Sequence, residues 1–362
     1  MSTARGRRGY LDWVRGLAVL VMIQAHVLDS WTRLDARGSW QFAWAMIVAG
    51  FGAPIFLFLA GVSVALSAGS KARRSGDPHA AAVTVMKRGG WIFFLAFVFR
   101  LQAWILGWGP PRTLLKVDVL NIMGPAIAAA ACLWGLFRTT AARGAACAAA
   151  AGAIALLAPI VRASPMLDPL PDPIEAYLRP APPFSAFPIF PWVGFVFAGA
   201  VVGVLVAGTR TDQQESALNR RLAIAGALIA TGAYALSFLP TPYPQSDFWG
   251  ESPTFFALRA GILTLLIPCA YLWNRLIRAG ARNPIQQLGR TSLFIYWIHV
   301  EMVYGLISLR VHKKLTHPQA WLAFGGFALF MLVCSIGKDR IVRWREEHVR
   351  RKGQTQNGAA AT

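Results

Sequence analysis

The chain has 362 residues, of which 56% are hydrophobic and 14% are charged, and its mean hydropathy is +0.46. A soluble domain does not carry so much apolar surface, so the composition predicts a polytopic membrane protein. The formal net charge of +20 does not indicate nucleic-acid binding, because the Lys and Arg residues are spread over short loops between apolar stretches.

Apolar stretches long enough to cross about 30 Å of hydrocarbon recur along the chain, which predicts an all-α transmembrane bundle of about ten spans. They cover residues 11–30, 44–68, 89–108, 118–137, 144–161, 187–207, 222–239, 255–273, 291–309 and 319–337. With a cytoplasmic N-terminus, the predicted cytoplasmic segments hold 24 Lys and Arg residues and the outer loops hold 9. This asymmetry follows the positive-inside rule, so both termini are expected in the cytoplasm.

We expect a single integral-membrane domain over residues 1–337 and a basic cytoplasmic tail over residues 338–362 that is partly disordered and contacts anionic lipids. The basic, apolar N-terminus resembles a signal peptide, but Asp12 and Arg15 interrupt the apolar run and no small-residue cleavage site follows. It is therefore expected to be a retained first span.

Two long outer loops are predicted. The first, residues 162–186, is Pro-rich, cannot form one regular helix and is expected to cover an outer vestibule. The second, residues 240–254, carries Asp247, Trp249 and Glu251. These side chains suit a sugar-like ligand, and they also suit an aromatic belt at the membrane interface.

Several chemistries have no sequence signature here. The four cysteines lie in or beside apolar segments without metal-ligand spacing, so we expect buried thiols and no metal cofactor. The chain has no phosphate-binding loop, no GxGxxG fingerprint and no HExxH motif. These absences argue against an ATP-driven pump, a dinucleotide enzyme and a zinc protease.

The first predicted span carries a polar stripe formed by Asp12, Arg15, His26 and Asp29. At about 100° per residue, the four fall within an arc of roughly 100°, and Arg15 and His26 are about 16 Å apart along the axis. Ionisable groups in hydrocarbon are costly and usually face a protein interior or a water-filled cavity. This helix is therefore the first candidate for a functional site.

His26 and Asp29 could form a general base with a carboxylate that orients the imidazole, since they are three residues apart near the outer end of the span. A buried histidine bonded to a backbone carbonyl is the structural alternative. Asp12 and Arg15 could form an ion pair. Alternatively they belong to a cationic mouth for a phosphorylated cofactor, together with Arg8 and with the basic residues Lys87, Arg88 and Arg290.

A second polar set lies in later spans. Arg100, Asp118 and Asn121 fall in the third and fourth spans, and Arg259 is a lone cation in the eighth. An ion pair of Arg100 or Arg259 with Asp118 would explain them structurally, and lining a reaction chamber would make them substrate-binding residues.

The ninth predicted span places His299 at its centre, three residues after Tyr296. This pair could point into the bundle and bind a substrate, or it could hydrogen-bond a neighbouring helix.

The run YLDWVRGLAVLVMIQAHVLDSW resembles the D-x-x-RG-[LI]-A-x-x-x-M-x-x-x-H-x-x-D opening of bacterial heparan-α-glucosaminide N-acetyltransferase-like membrane proteins. Four further stretches match in order, and FPxxPWxGxxxxG is the most specific of them. They are FGAPIFLFLAGVSVALS, VDVLNIMG, FPIFPWVGFVFAGAVVG and LGRTSLFIYWIHVEMVY.

The resemblance implies a membrane-embedded acyltransferase that moves an acetyl group from cytoplasmic acetyl-CoA to a sugar on the far side. The expected route is direct attack by a sugar amine or hydroxyl with His26 as general base and Asp29 orienting it. A ping-pong route through an acetyl-histidine is the rival. In the lysosomal members an essential histidine follows the first span, and residues 30–41 here contain none.

The expected partners are an extracytoplasmic glycan or amino-sugar acceptor and membrane lipids, with no nucleic acid, and the expected location is a bacterial inner membrane. Self-association into a homo-oligomer, the acceptor and the acyl chain stay open. A secondary transporter is the main alternative, although the chain shows no clear inverted repeat. A non-catalytic membrane scaffold is another, but it would not need the buried ionisable residues.

Overall fold

The computed structural model describes residues 8–107, 110–185, 187–243, 246–277 and 283–359, and these residues form an all-α structure without a β-strand. Four short 3-10 turns accompany the helices. The helices are α1 (Gly9–Trp31), α2 (Trp40–Ala49), α3 (Gly52–Ser75), α4 (Pro78–Gly107), α5 (Val119–Leu136), α6 (Thr140–Arg162), α7 (Asp172–Leu178), α8 (Ile189–Trp192), α9 (Gly194–Gly208), α10 (Asp212–Leu236), α11 (Pro253–Leu276), α12 (Pro284–Arg290), α13 (Ser292–Tyr304) and α14 (His317–Ala359).

Among the residues that the structure describes, eight helical stretches are long and apolar enough to cross a membrane. They correspond to eight of the ten predicted spans, so the all-α polytopic fold is confirmed. The other two differ. Of the predicted span 222–239, residues 222–236 belong to α10, whose first half carries charged side chains. Residues 291–309 contain the 13-residue α13, which is shorter than the hydrocarbon thickness. The total of ten spans and the cytoplasmic termini stay predictions.

The chain divides into two compact units. The large unit comprises Met1–Val14 and Gly50–Ala279, and it contains α3 to α11. The small unit comprises Arg15–Ala49 and Gly280–Thr362, and it contains α2, most of α1, and α12 to α14.

In the large unit, α3 and α9 pack with their backbones in contact. A Cβ atom added at Gly61 would lie 1.8 Å from the Val196 carbonyl oxygen, and one added at Gly199 would lie 1.8 Å from the Phe58 carbonyl oxygen. Only glycine permits so close an approach, which is the small-residue packing common between membrane helices. Two of the family-like sequence stretches are therefore the two sides of one helix interface.

The Pro-rich loop 162–186 is not one regular helix, as expected, but it contains the seven-residue α7. Proline stands at the start of this helix, where the missing backbone N–H has no intrahelical partner to lose. The backbone N–H of Val117, just before α5, donates to the Phe184 carbonyl oxygen at 2.7 Å. The loop is thereby attached to the segment that leads into α5.

The expectation of buried thiols is confirmed for Cys147 and wrong for Cys269, which is exposed on α11. Cys132 and Cys334 are half-buried.

Candidate functional site

Two histidines meet in the small unit. His26 on α1 and His299 on α13 are joined by a hydrogen bond of 2.9 Å between His26 Nδ1 and His299 Nε2, and their rings are parallel to within 4°. His299 is fully buried, while His26 is half-buried. The Tyr296 ring lies edge-on to His299 at 6.0 Å. The structure thus brings together two residues that were predicted separately, one as a base and one as a substrate ligand.

The hydrogen bonds of this pair determine which nitrogen carries each proton. His299 Nδ1 lies 2.7 Å from the Ile295 carbonyl oxygen, which can only accept, so the proton of a neutral His299 is on Nδ1. His299 Nε2 is then an acceptor, and His26 Nδ1 must donate to it. In a neutral His26 the lone pair is consequently on Nε2, for which the described residues provide no donor.

Asp29 does not occupy the position that was expected for it. The Tyr304 hydroxyl donates to Asp29 Oδ2 at 3.1 Å, and Arg37 Nη1 lies 3.6 Å from Asp29 Oδ1. Arg37 also donates to the backbone oxygen of Asp29. The carboxylate is drawn towards the turn that follows α1, and His299 takes the place at His26 Nδ1 that Asp29 was expected to fill. Tyr304, whose ring is 5.4 Å from that of His26, links the two residues.

The carboxyl end of α1 is attached to α13. Ser30 Oγ and Trp31 Nε1 both donate to the Val303 carbonyl oxygen, at 3.0 and 3.2 Å. Towards its other end, α1 approaches α12 so closely that a Cβ atom at Gly16 would lie 1.8 Å from the Ile285 carbonyl oxygen. These contacts hold His26 opposite His299. Tyr304 was not predicted, although it lies in the family-like stretch that contains His299.

A second polar cluster lies in the large unit. Arg100 Nη2 is 2.9 Å from Asp118 Oδ2, which confirms the expected ion pair. Asp118 is not inside the span: it caps α5, and its backbone N–H donates to the Asn121 side chain. Asn121 Nδ2 is in turn 3.4 Å from the Tyr177 hydroxyl on α7. Burial raises the pKa of this hydroxyl, so it stays protonated at neutral pH.

Arg259 is not part of this ion pair. Its guanidinium carbon lies 4.0 Å from the centre of the Phe255 ring and 5.7 Å from that of Phe51. Its Nε is buried, and no residue in the described ranges accepts a hydrogen bond from it.

The residues predicted to hold the donor occupy different environments. Lys87 and Arg88 are exposed on α4, and Arg290 is exposed at the end of α12. Asp12 is buried, and Arg15 is half-buried. Their role stays a prediction.

Arg8, which was grouped with these cations, forms an ion pair of 2.8 Å with the buried Glu215. Glu215 also accepts a hydrogen bond from the Tyr10 hydroxyl at 2.8 Å. Sequence reasoning gave Glu215 no role. Its position in the first turn of α10, after a charged loop, resembles that of an ordinary surface residue.

In the loop 240–254, which is predicted to lie on the outer side, Glu251 forms an ion pair of 2.8 Å with Arg162, and Trp249 is exposed. The acidic side chain therefore has a structural partner, whereas the indole is free to contact lipid or a ligand.

Comparison with known families gives one result that covers most of the chain. A family model described as heparan-alpha-glucosaminide N-acetyltransferase, catalytic, matches residues 7–244. His26, Asp29, Arg100 and Asp118 fall within the matched residues, whereas His299 lies beyond them. A comparison with curated proteins finds no match. The chain belongs to the heparan-α-glucosaminide N-acetyltransferase catalytic family, a family of membrane acyltransferases.

Proposed function

We propose that this protein transfers an acetyl or short acyl group from acetyl-CoA on the cytoplasmic side to a hydroxyl or amine of an extracytoplasmic sugar or glycan. The membrane is the inner membrane of a bacterium. Membership of the family supports the acyl transfer. The observation that carries the catalytic assignment is the hydrogen-bond chain from Ile295 through His299 to His26, because it leaves the His26 Nε2 lone pair available as a base.

In the proposed step, the acceptor oxygen or nitrogen attacks the thioester carbonyl carbon while its proton moves to His26 Nε2. The new C–O or C–N bond forms, and the C–S bond breaks. The departing CoA thiolate then takes the proton from His26, so the imidazole returns to its neutral form. A general base of this kind contributes about 10²- to 10⁴-fold to the rate.

His299 would position His26 by accepting a hydrogen bond from its Nδ1–H, and it would share the positive charge that develops on the pair. Asp29, which accepts a hydrogen bond from the Tyr304 hydroxyl, would act as a more distant negative charge. Each of the two residues thus has a role that does not require contact with the substrate.

The acyl donor and the sugar acceptor are assigned to different sets of residues. Exposed or half-buried cations are suited to the phosphate groups of CoA, and the cluster around Asp118 is suited to sugar hydroxyls. The proposed set for the acyl donor is the four cations Arg15, Lys87, Arg88 and Arg290 together with the buried carboxylate Asp12. The proposed set for the sugar acceptor is Arg100, Asp118 and Asn121.

The test is acetyl transfer by the purified protein from acetyl-CoA to a glucosamine-terminated oligosaccharide. We expect His26→Ala to lower kcat by about 10²- to 10⁴-fold, since the base is lost. His79→Ala is the matched control, because His79 is exposed at the start of α4 and should leave kcat unchanged. Full turnover by His26→Ala would show that His26 is not the base.

Direct transfer and the ping-pong route differ when no acceptor is present. Direct transfer predicts no stoichiometric burst of free CoA from acetyl-CoA alone. A burst that disappears in His26→Ala would make His26 the nucleophile instead.

A further inference from the structure

Arg259 differs from the other half-buried arginines of the large unit in its hydrogen-bond partners. Arg8, Arg100, Arg162 and Arg179 each lie within 2.9 Å of a carboxylate oxygen. Arg143 donates from Nε to the carbonyl oxygens of Trp134 and Phe137 at 2.8 Å. Within the described ranges, Arg259 alone among them has no oxygen acceptor.

Arg259 is held by aromatic rings, chiefly that of Phe255. A cation over a ring face is stabilised by the ring quadrupole. The ring does not, however, accept the five N–H donors that lie in the plane of the guanidinium. Because Nε is shut away from solvent, it cannot obtain its partner from bulk water. The rings hold the arginine in place and leave its Nε–H without a hydrogen-bond acceptor among the described residues.

None of the carboxylate side chains of the protein forms an ion pair with Arg259. All 16 Asp and Glu residues lie within the ranges that the structure describes, and no salt bridge joins any of them to Arg259. Asp118, the partner expected for either cation, is taken by Arg100. An anion that pairs with Arg259 would therefore come from outside the polypeptide.

The position of Arg259 indicates where that anion comes from. Arg259 is the seventh residue of α11, about 9 Å along the axis from the first. The predicted topology places this end of α11 on the extracytoplasmic side, away from the phosphates of cytoplasmic CoA. A planar guanidinium matches the two oxygens of a carboxylate or phosphate.

We infer that Arg259 binds an oxyanion, a carboxylate or a phosphate, that is carried by the acyl acceptor. The preferred acceptor is accordingly an acidic sugar rather than a neutral one. The identification of the ligand as the acceptor rests on the proposed function, whereas the anion site itself does not.

The kinetic test compares three acceptors: glucosamine, glucosamine 6-phosphate and 2-amino-2-deoxyglucuronic acid. We expect Arg259→Gln to raise KM for the two charged acceptors by about tenfold or more, and Arg259→Lys to have a smaller effect. KM for glucosamine should change by less than about twofold. Arg143→Gln is the matched control, because Arg143 also lies over an aromatic ring, at 3.6 Å from the Trp134 centre. Equal KM changes for glucosamine and for the two acceptors that carry an oxyanion would overturn the inference.

The binding test needs no acyl donor. In nanodiscs of uncharged lipid, inorganic phosphate or galacturonate should raise the Tm of the wild type and not that of Arg259→Gln. Without an anion, Arg259→Gln should be as stable as the wild type or more stable, whereas Arg100→Gln should be less stable because it leaves Asp118 without a counter-ion. A lower Tm of ligand-free Arg259→Gln would make the arginine a structural cation–π residue and overturn the site.

Two further outcomes separate the inference from the proposed function. If the anions protect the wild type but no acceptor is acetylated, the anion site stands and the acyl-transfer proposal fails. If protection appears only with phosphatidylglycerol in the membrane, the oxyanion is a lipid headgroup, and its assignment to the acceptor is overturned.

Discussion

The hydrogen-bond chain that ends at His26 begins at the backbone carbonyl of Ile295 in α13. The Ile295 oxygen cannot donate, so it determines the tautomer of His299, and His299 in turn determines that of His26. Serine proteases obtain the same result with a carboxylate, which also carries a negative charge. Here the orienting group is neutral. In the proposed step, a proton on His26 would therefore be stabilised mainly by hydrogen bonding and by the more distant Asp29.

His299 can be tested as a positioning residue with two substitutions. His299→Leu removes the acceptor for His26 Nδ1–H and should lower kcat by about tenfold, which corresponds to the loss of about one hydrogen bond. His299→Gln supplies an amide oxygen that can accept the hydrogen bond from His26 Nδ1–H, so this variant should retain most of the activity. KM for acetyl-CoA should be the same in both. Equal losses of kcat in the two variants would contradict the positioning role.

The sequence identifies His26 and His299 as polar residues on apolar helices, but it cannot pair them. They are 273 positions apart, and periodicity gives the face of a helix without naming the helix opposite. The i, i+3 spacing made Asp29 the natural partner for His26. That spacing places two residues on one face, and the actual geometry then depends on Arg37 and Tyr304, which draw the carboxylate away.

At the scale of elements, hydropathy locates most spans because burial in lipid requires the same long apolar run whatever the topology. It fails where a helix is apolar but short. α13 ends at Tyr304, and Gly305 and a 3-10 turn follow it, although the apolar residues continue to Leu309. The 43-residue α14 shows the opposite case, since its helix extends well past the apolar segment into the basic tail.

The contact between α3 and α9 gives a prediction about packing. Gly199→Ala should destabilise the protein by about 1 to 3 kcal/mol or more, because the added methyl group would overlap the Phe58 backbone and separate the helices. The measurement is thermal unfolding in detergent. Gly208→Ala, in the same helix, is the control: no atom lies within 4 Å of its added Cβ, so little change is expected. Similar unfolding temperatures for the two variants would contradict the close packing.

At the scale of the whole molecule, the distribution of Lys and Arg predicts an orientation in the membrane that can be measured. The segment 71–88, which includes the junction of α3 and α4 and His79, is predicted to be cytoplasmic, and the Pro-rich loop is predicted to be extracytoplasmic. In a background without the four native cysteines, Met166→Cys in intact cells should react with a membrane-impermeant maleimide. His79→Cys should react only after the cells are opened. Both side chains are exposed, so accessibility within the protein does not limit either reaction.

The opposite labelling pattern would invert the topology. Arg259 would then face the side of the acyl donor, and its oxyanion could belong to CoA. The topology measurement therefore also bears on the identity of the acidic ligand.

The contact of Gly16 with the Ile285 backbone has a consequence for how variants of the histidine pair are interpreted. Gly16 is about 15 Å from His26 along α1, and its contact involves no side chain of the pair. The axial position of α1 in the small unit is therefore fixed by steric fit at a distance, and replacing either imidazole leaves that constraint in place. A loss of turnover in such a variant would consequently not be explained by an axial shift of α1.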